Sequence, residues 1–510
     1  MISLFRTESY QKGIVLSTSF NFLSKGILLF NNILIAYYFG TQERTDLYFF
    51  IFPLVNFVAY FISALNSTVI IPESMKIREE CGENASMAFL NKFFFIFFFI
   101  GLLLTLIFSF KPIFVYGLFS KFSNEILIRN YSILLLGSSL FLLMILTNFL
   151  TEILASYKFF SIPMFAQFLN SFFVFFFLIF FHNSMEINSI FIGLIIAFSI
   201  NLFILFYLLK YKLSWNFLNY RYKVRKKVWI DTIYSQSGNF ASLLSNFAPT
   251  YIFSGFSSGI LSALNYGQKT ASMPNDIISG QFTSIAGIRF NELFAQKDFN
   301  KINIVFQETV KSLIFILIPI SGFVFLFSSE IIDILYLRGK FEIEIANVSA
   351  FYLKFLILAI PFNAFLGVIG RLFISGQKIS LTFYNQIIVN LLLITSIYFF
   401  VRIYGYKGFP YAILLITLLN VIINIFLIKH IFRFIFLKKI FIFSIIIFLE
   451  VFFILFICNY INSFLEGIIL FFRILINFCF FLGLFIFFNY LFKVNLTFLS
   501  AIKQIIKKDK

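Results

Sequence analysis

The sequence predicts an all-α polytopic membrane protein of about fourteen transmembrane helices, arranged as two six-helix lobes plus a terminal helix pair. Three observations predict it. Hydrophobic residues make up 60% of the 510 and charged residues 12%, with a mean hydropathy of +0.95, whereas a soluble domain carries roughly a quarter charged residues. The 84 phenylalanines fall in runs such as 93–99 and 172–177 that are apolar all round, the pattern of a helix in lipid or in a bundle core. Polar clusters also cut the chain into apolar stretches near the ~20 residues that a ~30 Å hydrocarbon core requires.

Taken in order, the stretches are 13–39, 45–72, 91–110, 128–156, 159–181 and 186–210 in the first lobe (1–210). Residue 13–39 has no short apolar region followed by an A-x-A-like site, so it is expected to stay in place as a signal anchor. A basic linker, 211–228, follows. It carries Arg221, Lys223, Arg225, Lys226 and Lys227, with Trp215 and Trp229 near its ends as expected interfacial anchors, and is expected to be solvated. The second lobe (229–436) holds 229–256, 258–288, 308–329, 344–374, 380–401 and 408–432. A terminal helix pair and basic tail (437–510) hold 437–462 and 465–492.

About 28 of the 40 Lys and Arg residues fall in the set of alternate loops that includes both termini. Basic loops stay on the cytoplasmic side, so both termini are expected to be cytoplasmic and the protein to reside in the cytoplasmic (inner) membrane. The +18 net charge follows from this asymmetry and favours anionic membrane lipids; no nucleic acid is implied. At a constant shift Asn31 aligns with Asn246, Gly40 with Gly255 and Thr68 with Thr283. Six spans, a linker and six spans are what a parallel duplication would give.

Cys81, Cys458 and Cys479 suggest neither a disulfide framework nor a zinc site. His182 and His430 lie far apart, and no G-x-S-x-G elbow, Walker A loop or H-E-x-x-H helix occurs. The sequence therefore points to a transporter rather than an enzyme, with no cofactor and an energy source other than ATP. Ionisable groups near the bilayer midplane default to function because they are costly there. Lys25, Lys269 and Lys354 each lie 10–12 residues into a span, about 15–18 Å deep at 1.5 Å per residue. Asp276 follows Lys269 by seven residues and shares its helix face. Such lysines suit an anionic substrate in a wet cavity; the alternative is that they snorkel or pair with Glu152 or Asp276. Glu450 and Arg473, on the last two spans, are expected to form a structural ion pair.

Several short motifs then stand in register: Ser24-Lys25-Gly26, Tyr38-Phe39-Gly40 and Thr45-Asp46; Ser262 to Lys269 ending in Pro274; Leu337-Arg338-Gly339-Lys340-Phe341; and Arg371-Leu372-Phe373 with Gly376. Over roughly 15–430 they resemble the MurJ/MviN family, the lipid II flippases of the multidrug/oligosaccharidyl-lipid/polysaccharide exporter superfamily. The resemblance implies a two-lobed bundle whose central cationic cavity opens to alternate faces, with a terminal helix pair flanking a groove for a lipid tail. It implies a polyprenyl-diphosphate-linked saccharide as substrate, met by Lys25 and Lys269 where the family has arginines. Asn31 and Asn32 replace an arginine and an aspartate, and Ala59 and Tyr60 stand near a lost arginine pair, so the cavity is expected to be less cationic than in relatives. Asn31, Asn32, Gln268 and Asp276 are expected to give it polar lining. Members of the family couple to sodium through carboxylates, for which this chain offers Asp231 and, in the other helix, only Asn385 and Asn390; sodium and proton both stay open. So do an O-antigen or exopolysaccharide unit as cargo, a drug or metabolite antiporter, and a non-transport scaffold.

Overall fold

A computed structural model describes residues 10–491, without the side chains of 10–15, 67, 231, 233–235, 237, 238 and 379. The ends of the basic termini, 1–9 and 492–510, and the Asp231 side chain lie outside the described residues. Every regular element among the described residues is a helix. In lipid each backbone N–H and C=O must be satisfied within its own segment, and the helix does that. Eleven stretches among the described residues are long and apolar enough to cross a membrane. The difference from about fourteen has physical causes. Ser380–Ile431 is one stretch of 52 residues that contains two helices, Ile379–Tyr404 and Gly408–Ile431. Lys226–Phe253 and the helical run from Ile260 to Ala295 carry too many polar residues to meet the apolar criterion.

The chain divides into two compact units, Met1–Ser262 with Arg338–Ile345, and Ala263–Leu337 with Ala346–Lys510. In the first, the helix Tyr131–Ser156 is central and packs on Glu83–Phe110, Asn188–Lys212 and Glu43–Leu65. Tyr10–Phe39 packs on Ile162–Met185, and Lys226–Phe253 packs on Glu43–Leu65. Aromatic edges fill the core, with Phe108 and Phe141 at 4.6 Å and Phe97 and Phe149 at 5.0 Å between ring centres. A Cβ on Gly137 would come within 2.3 Å of Ile51 Cγ2, so this glycine sets how closely the central helix approaches Glu43–Leu65. Outward faces carry exposed Phe22, Phe99, Phe110 and Phe203, the reverse of a water-soluble surface.

The linker differs from expectation. Trp215 is 5% exposed, and its Nε1–H donates to Asn91 Oδ1 at 2.7 Å. Asn91 Nδ2 in turn donates to the carbonyls of Asn216 and Asn219, Lys92 Nζ donates to that of Tyr222, and Arg225 pairs with Glu80 at 3.3 Å. The linker is thus fastened to the preceding helices, because its backbone carbonyls find donors there. Trp229 stays exposed, as an interfacial anchor should.

In the second unit Phe299–Leu326 is central, packed on Lys438–Phe464, Gly280–Ala295 and Ile360–Ser375. Asp298 caps it, accepting from Lys301 N at 3.1 Å; its hydrogen bonds to the Lys301 side chain and backbone hold its carboxyl below the usual range. The core runs through Phe306, Val310, Leu313, Val368 and Leu372 and continues as Phe323, Ile447, Val451, Ile454 and Phe481 against the terminal helices. The expected Glu450–Arg473 pair is replaced by two separate contacts. Arg473 lies 3.7 Å from Glu330, and Glu450 accepts from Asn489 Nδ2 at 2.7 Å. The helix Lys438–Phe464 ends fourteen residues after Glu450, and Leu470–Leu491 begins three before Arg473. In an antiparallel hairpin their depths therefore differ by about 16 Å at 1.5 Å per residue, too far for a contact.

The second long helix of each half is interrupted by a π-segment, Asn66–Ile70 and Asn275–Ser279. Thr68 and Thr283, paired by the internal alignment, make the same bond: each Oγ1 donates to the carbonyl four residues back, at 2.7 and 2.8 Å.

Gly137→Ala is expected to destabilise the protein by about 1–3 kcal/mol through overpacking, read as a lower unfolding temperature in detergent. Gly26→Ala, where nothing lies within 4 Å of the added Cβ, should leave that temperature unchanged or slightly raised.

Candidate functional site

In the first unit, Lys25 is exposed on the helix Tyr10–Phe39. Asn31 and Asn32 are each 2% exposed. Asn31 Nδ2 donates to the Ser171 carbonyl at 2.9 Å, which joins this helix to Ile162–Met185 by an amide, the usual polar link between helices in lipid. Lys25 and the asparagines thus occupy different environments, the cation open and the amides enclosed.

In the second unit, one face of Ile260–Pro274 is packed tightly. Tyr266 is fully buried and lies 4.8 Å from the Tyr336 ring, and Thr270 Oγ1 is 3.1 Å from the Tyr336 hydroxyl. A Cβ on Gly267 would meet the Ser349 carbonyl at 2.6 Å. Packing of that face turns Gln268 outward, where it is exposed, and leaves Lys269 half-buried. Ser272 Oγ donates to the Lys269 carbonyl at 3.1 Å and lies 3.4 Å from Asp276 Oδ2. Asp276 sits in the π-segment after Pro274 and is exposed. Lys354 Nζ lies 5.0 Å from the centre of the Phe325 ring, a cation–π contact. Of the positions expected to couple an ion, Asn385 Nδ2 donates to Asn420 Oδ1 at 3.2 Å, and Asn424 Nδ2 donates to the same oxygen at 2.7 Å. Amides, not carboxylates, occupy this junction of Ile379–Tyr404 with Gly408–Ile431.

Sequence reasoning gave no role to Asp46, although it quoted Thr45-Asp46 as a motif. Asp46 is 3% exposed and 213 residues away in sequence from its first partner. Its Oδ2 accepts from Gly259 N at 2.7 Å, and its Oδ1 accepts from Ser262 N at 2.8 Å and from Ser262 Oγ. A carboxylate from one helix therefore caps the N-terminus of another, where free N–H groups and the helix dipole favour negative charge. Beside it, Lys340 N donates to the Tyr37 carbonyl at 3.0 Å. Three glycines at positive φ make this approach possible: Gly40 at +61°, Gly259 at +92° and Gly339 at +61°. A Cβ on Gly40 would stand 2.2 Å from the Lys340 carbonyl oxygen, and one on Gly339 2.3 Å from that of Tyr37. Three loops are thus latched by backbone contacts and one carboxylate. Gly40 and Gly339 stand in the motifs read from the sequence, whereas Gly259 lies three residues before the motif that opens at Ser262.

A family model described as "Lipid II flippase MurJ" matches residues 35–480. The chain is 25% identical over 405 residues to a "Probable lipid II flippase MurJ" of Borreliella burgdorferi, covering 77% of this chain and 78% of that one. It is 24% identical over 429 residues to a protein of the same description from Aquifex aeolicus, covering 81% of each. Its fold is similar to a solved structure titled "Lipid II flippase MurJ, inward closed conformation", with a TM-score of 0.78 at 20% identity over 93% of this chain and 99% of that one. An inward-facing multidrug resistance MATE family transporter of the MOP superfamily gives a TM-score of 0.63 at 12% identity over 80% of this chain and 92% of that one. Matched by the family model from its first apolar helix into its last, this multi-pass membrane protein belongs to the lipid II flippase MurJ family.

Proposed function

We propose that the chain is a flippase that carries lipid II, a polyprenyl-diphosphate-linked saccharide, across the cytoplasmic membrane by alternating access. The observation that carries this reading is the family match over residues 35–480. The chemistry of the exposed polar groups supports it. A diphosphate is a compact double charge, and an ammonium attracts it strongly where the dielectric is low. Lys25, Lys269 and Lys354 are the proposed diphosphate contacts, with Lys354 reaching it only by leaving Phe325. As lysines they act as point charges, without the bidentate fork of arginine. Gln268 and Asp276 are the proposed polar lining for the sugars, and Asn31 ties the helix that carries Lys25 to Ile162–Met185. The lipid tail stays in the bilayer, against faces such as the apolar groove of about 520 Å³ on the last helix, lined by Leu475, Ile476, Cys479, Phe480, Gly483 and Leu484.

The loop charges support an orientation with both termini in the cytoplasm. On that orientation Gly40, Gly259 and Gly339 all lie at the outer ends of their helices, so the Asp46 latch fastens loops at the outer end of the first unit. The carboxylate and the backbone bonds together make a fastening that is specific yet limited to a few hydrogen bonds.

Growth of a bacterium depleted of its own lipid II flippase should be restored by this chain. Lys25→Ala and Lys269→Ala should abolish that rescue at near-normal protein levels, whereas the Arg replacements should keep part of it; full rescue by both Ala variants would overturn the diphosphate assignment.

Asp46→Asn exchanges one accepting oxygen for an N–H donor and removes the charge, a loss of about 1.5–3 kcal/mol for a charge-assisted hydrogen bond. Hydrogen exchange of the amides of 259–264 should accelerate at least about tenfold. Unchanged protection would mean that the carboxylate does not hold the latch.

A reporter active only outside the cytoplasm should be silent when inserted within 221–227 and active at Ser257 or Ser463. Activity in the basic linker would reverse the orientation and put the latch on the inner face.

A further inference from the structure

Beside the latch, within the first unit, lies a cavity of about 440 Å³, inside the ~300–1,000 Å³ range of small-molecule sites. One wall is aromatic. The Tyr38 ring stacks on the His182 imidazole at 3.7 Å and 16°, and Tyr37 meets Tyr38 edge-on at 5.0 Å. His182 Nδ1 lies 3.0 Å from the Leu178 carbonyl; a carbonyl only accepts, so Nδ1 carries the proton and the ring plane is fixed. The remaining rim is polar and planar, with the exposed amides of Gln42 and Asn183 and an ion pair between Arg44 and Glu186. Glu186 holds this place at φ +48°, a conformation that costs a non-glycine residue free energy and is commonest where a site demands it.

The wall and rim call for different parts of one ligand. A flat aromatic wall takes an apolar face, while amides and a guanidinium–carboxylate pair offer donors and acceptors side by side. Arg44 is already matched by Glu186, and Lys340 is the further cation of the lining, so an anion is the competing ligand. A pyranose ring has both features, with C–H groups on its faces and hydroxyls around its edge. We infer that this cavity is a saccharide subsite that takes a sugar ring of the head group at the outer face of the protein. The source of the sugar rests on the flippase reading above; the recognition chemistry does not.

The test uses the full chain in lipid nanodiscs, with the disaccharide N,N′-diacetylchitobiose and inorganic diphosphate as probes, followed by saturation-transfer NMR. The disaccharide should bind the wild type. Tyr38→Leu, and Gln42→Ala combined with Asn183→Ala, should each weaken it by about tenfold, the loss expected when one or two hydrogen bonds or a stacking surface is removed. Tyr38→Phe, which keeps the ring, should retain binding. If Tyr38→Leu fails to accumulate, the amide variants decide, since both side chains are exposed. No disaccharide binding to the wild type, unchanged binding by the amide variants, or displacement of the disaccharide by diphosphate would each overturn the subsite, the last by making it an anion site. The growth rescue is read in parallel. Failed rescue with variant-sensitive disaccharide binding would sink the flippase reading and leave the subsite standing; rescue without such binding would do the reverse.

Discussion

Lipid offers the backbone no hydrogen bonds, and most of this structure follows from that lack. It makes every described regular element a helix and allows phenylalanine to face outward without cost. It also removes the hydrophobic drive between helices, since a lipid tail is as apolar as a leucine side chain. What holds neighbours together is then close approach and a sparse set of polar links. Gly137 under Ile51, Gly193 against the Phe173 carbonyl and Gly267 against Ser349 supply the first. Asn31 to Ser171, Asn201 to Asn170 and Asn91 to the linker carbonyls supply the second.

The irregular places obey the same rule. A π-segment leaves backbone groups with poorer partners, and it is tolerated where side chains make up the loss. Thr68, inside the first segment, and Thr283, four residues past the second, each donate to the carbonyl four residues back. That an interrupted helix recurs second in each half agrees with an internal duplication. The second of them is the more polar and carries Lys269 and Asp276.

The latch assembles a different kind of contact from short-range chemistry. A carboxylate facing free helix N–H groups gains charge-assisted hydrogen bonds, and the flanking loops approach so closely that only glycine backbones fit. Neither feature needs a large apolar interface. The cavity beside it is polar, neutral in its Arg44–Glu186 pair and walled by aromatic rings, in contrast with the open lysine of the same unit.

How much of this was legible depended on the range of the interaction. Apolar run length, loop charge and the motif order with its glycines fixed the helical class, the approximate spans and the family, because those properties act within one segment or between a segment and its solvent. Depth counting singled out the lysines from the same local information. It failed for Glu450 and Arg473, whose true partners, Asn489 and Glu330, depend on where the hairpin turns and on a third helix. Trp215, an expected interfacial anchor, is held instead by Asn91, and Asp46 stands in the sequence only as part of the Thr45-Asp46 motif. Asp46 finds Ser262 across 216 residues of chain, a pairing that leaves no periodicity in the sequence. The chain by itself therefore determined the helical membrane class and the family. Only the tertiary structure decided which polar groups meet, because hydrogen bonds are set within a few tenths of an ångström by packing that involves many distant residues at once.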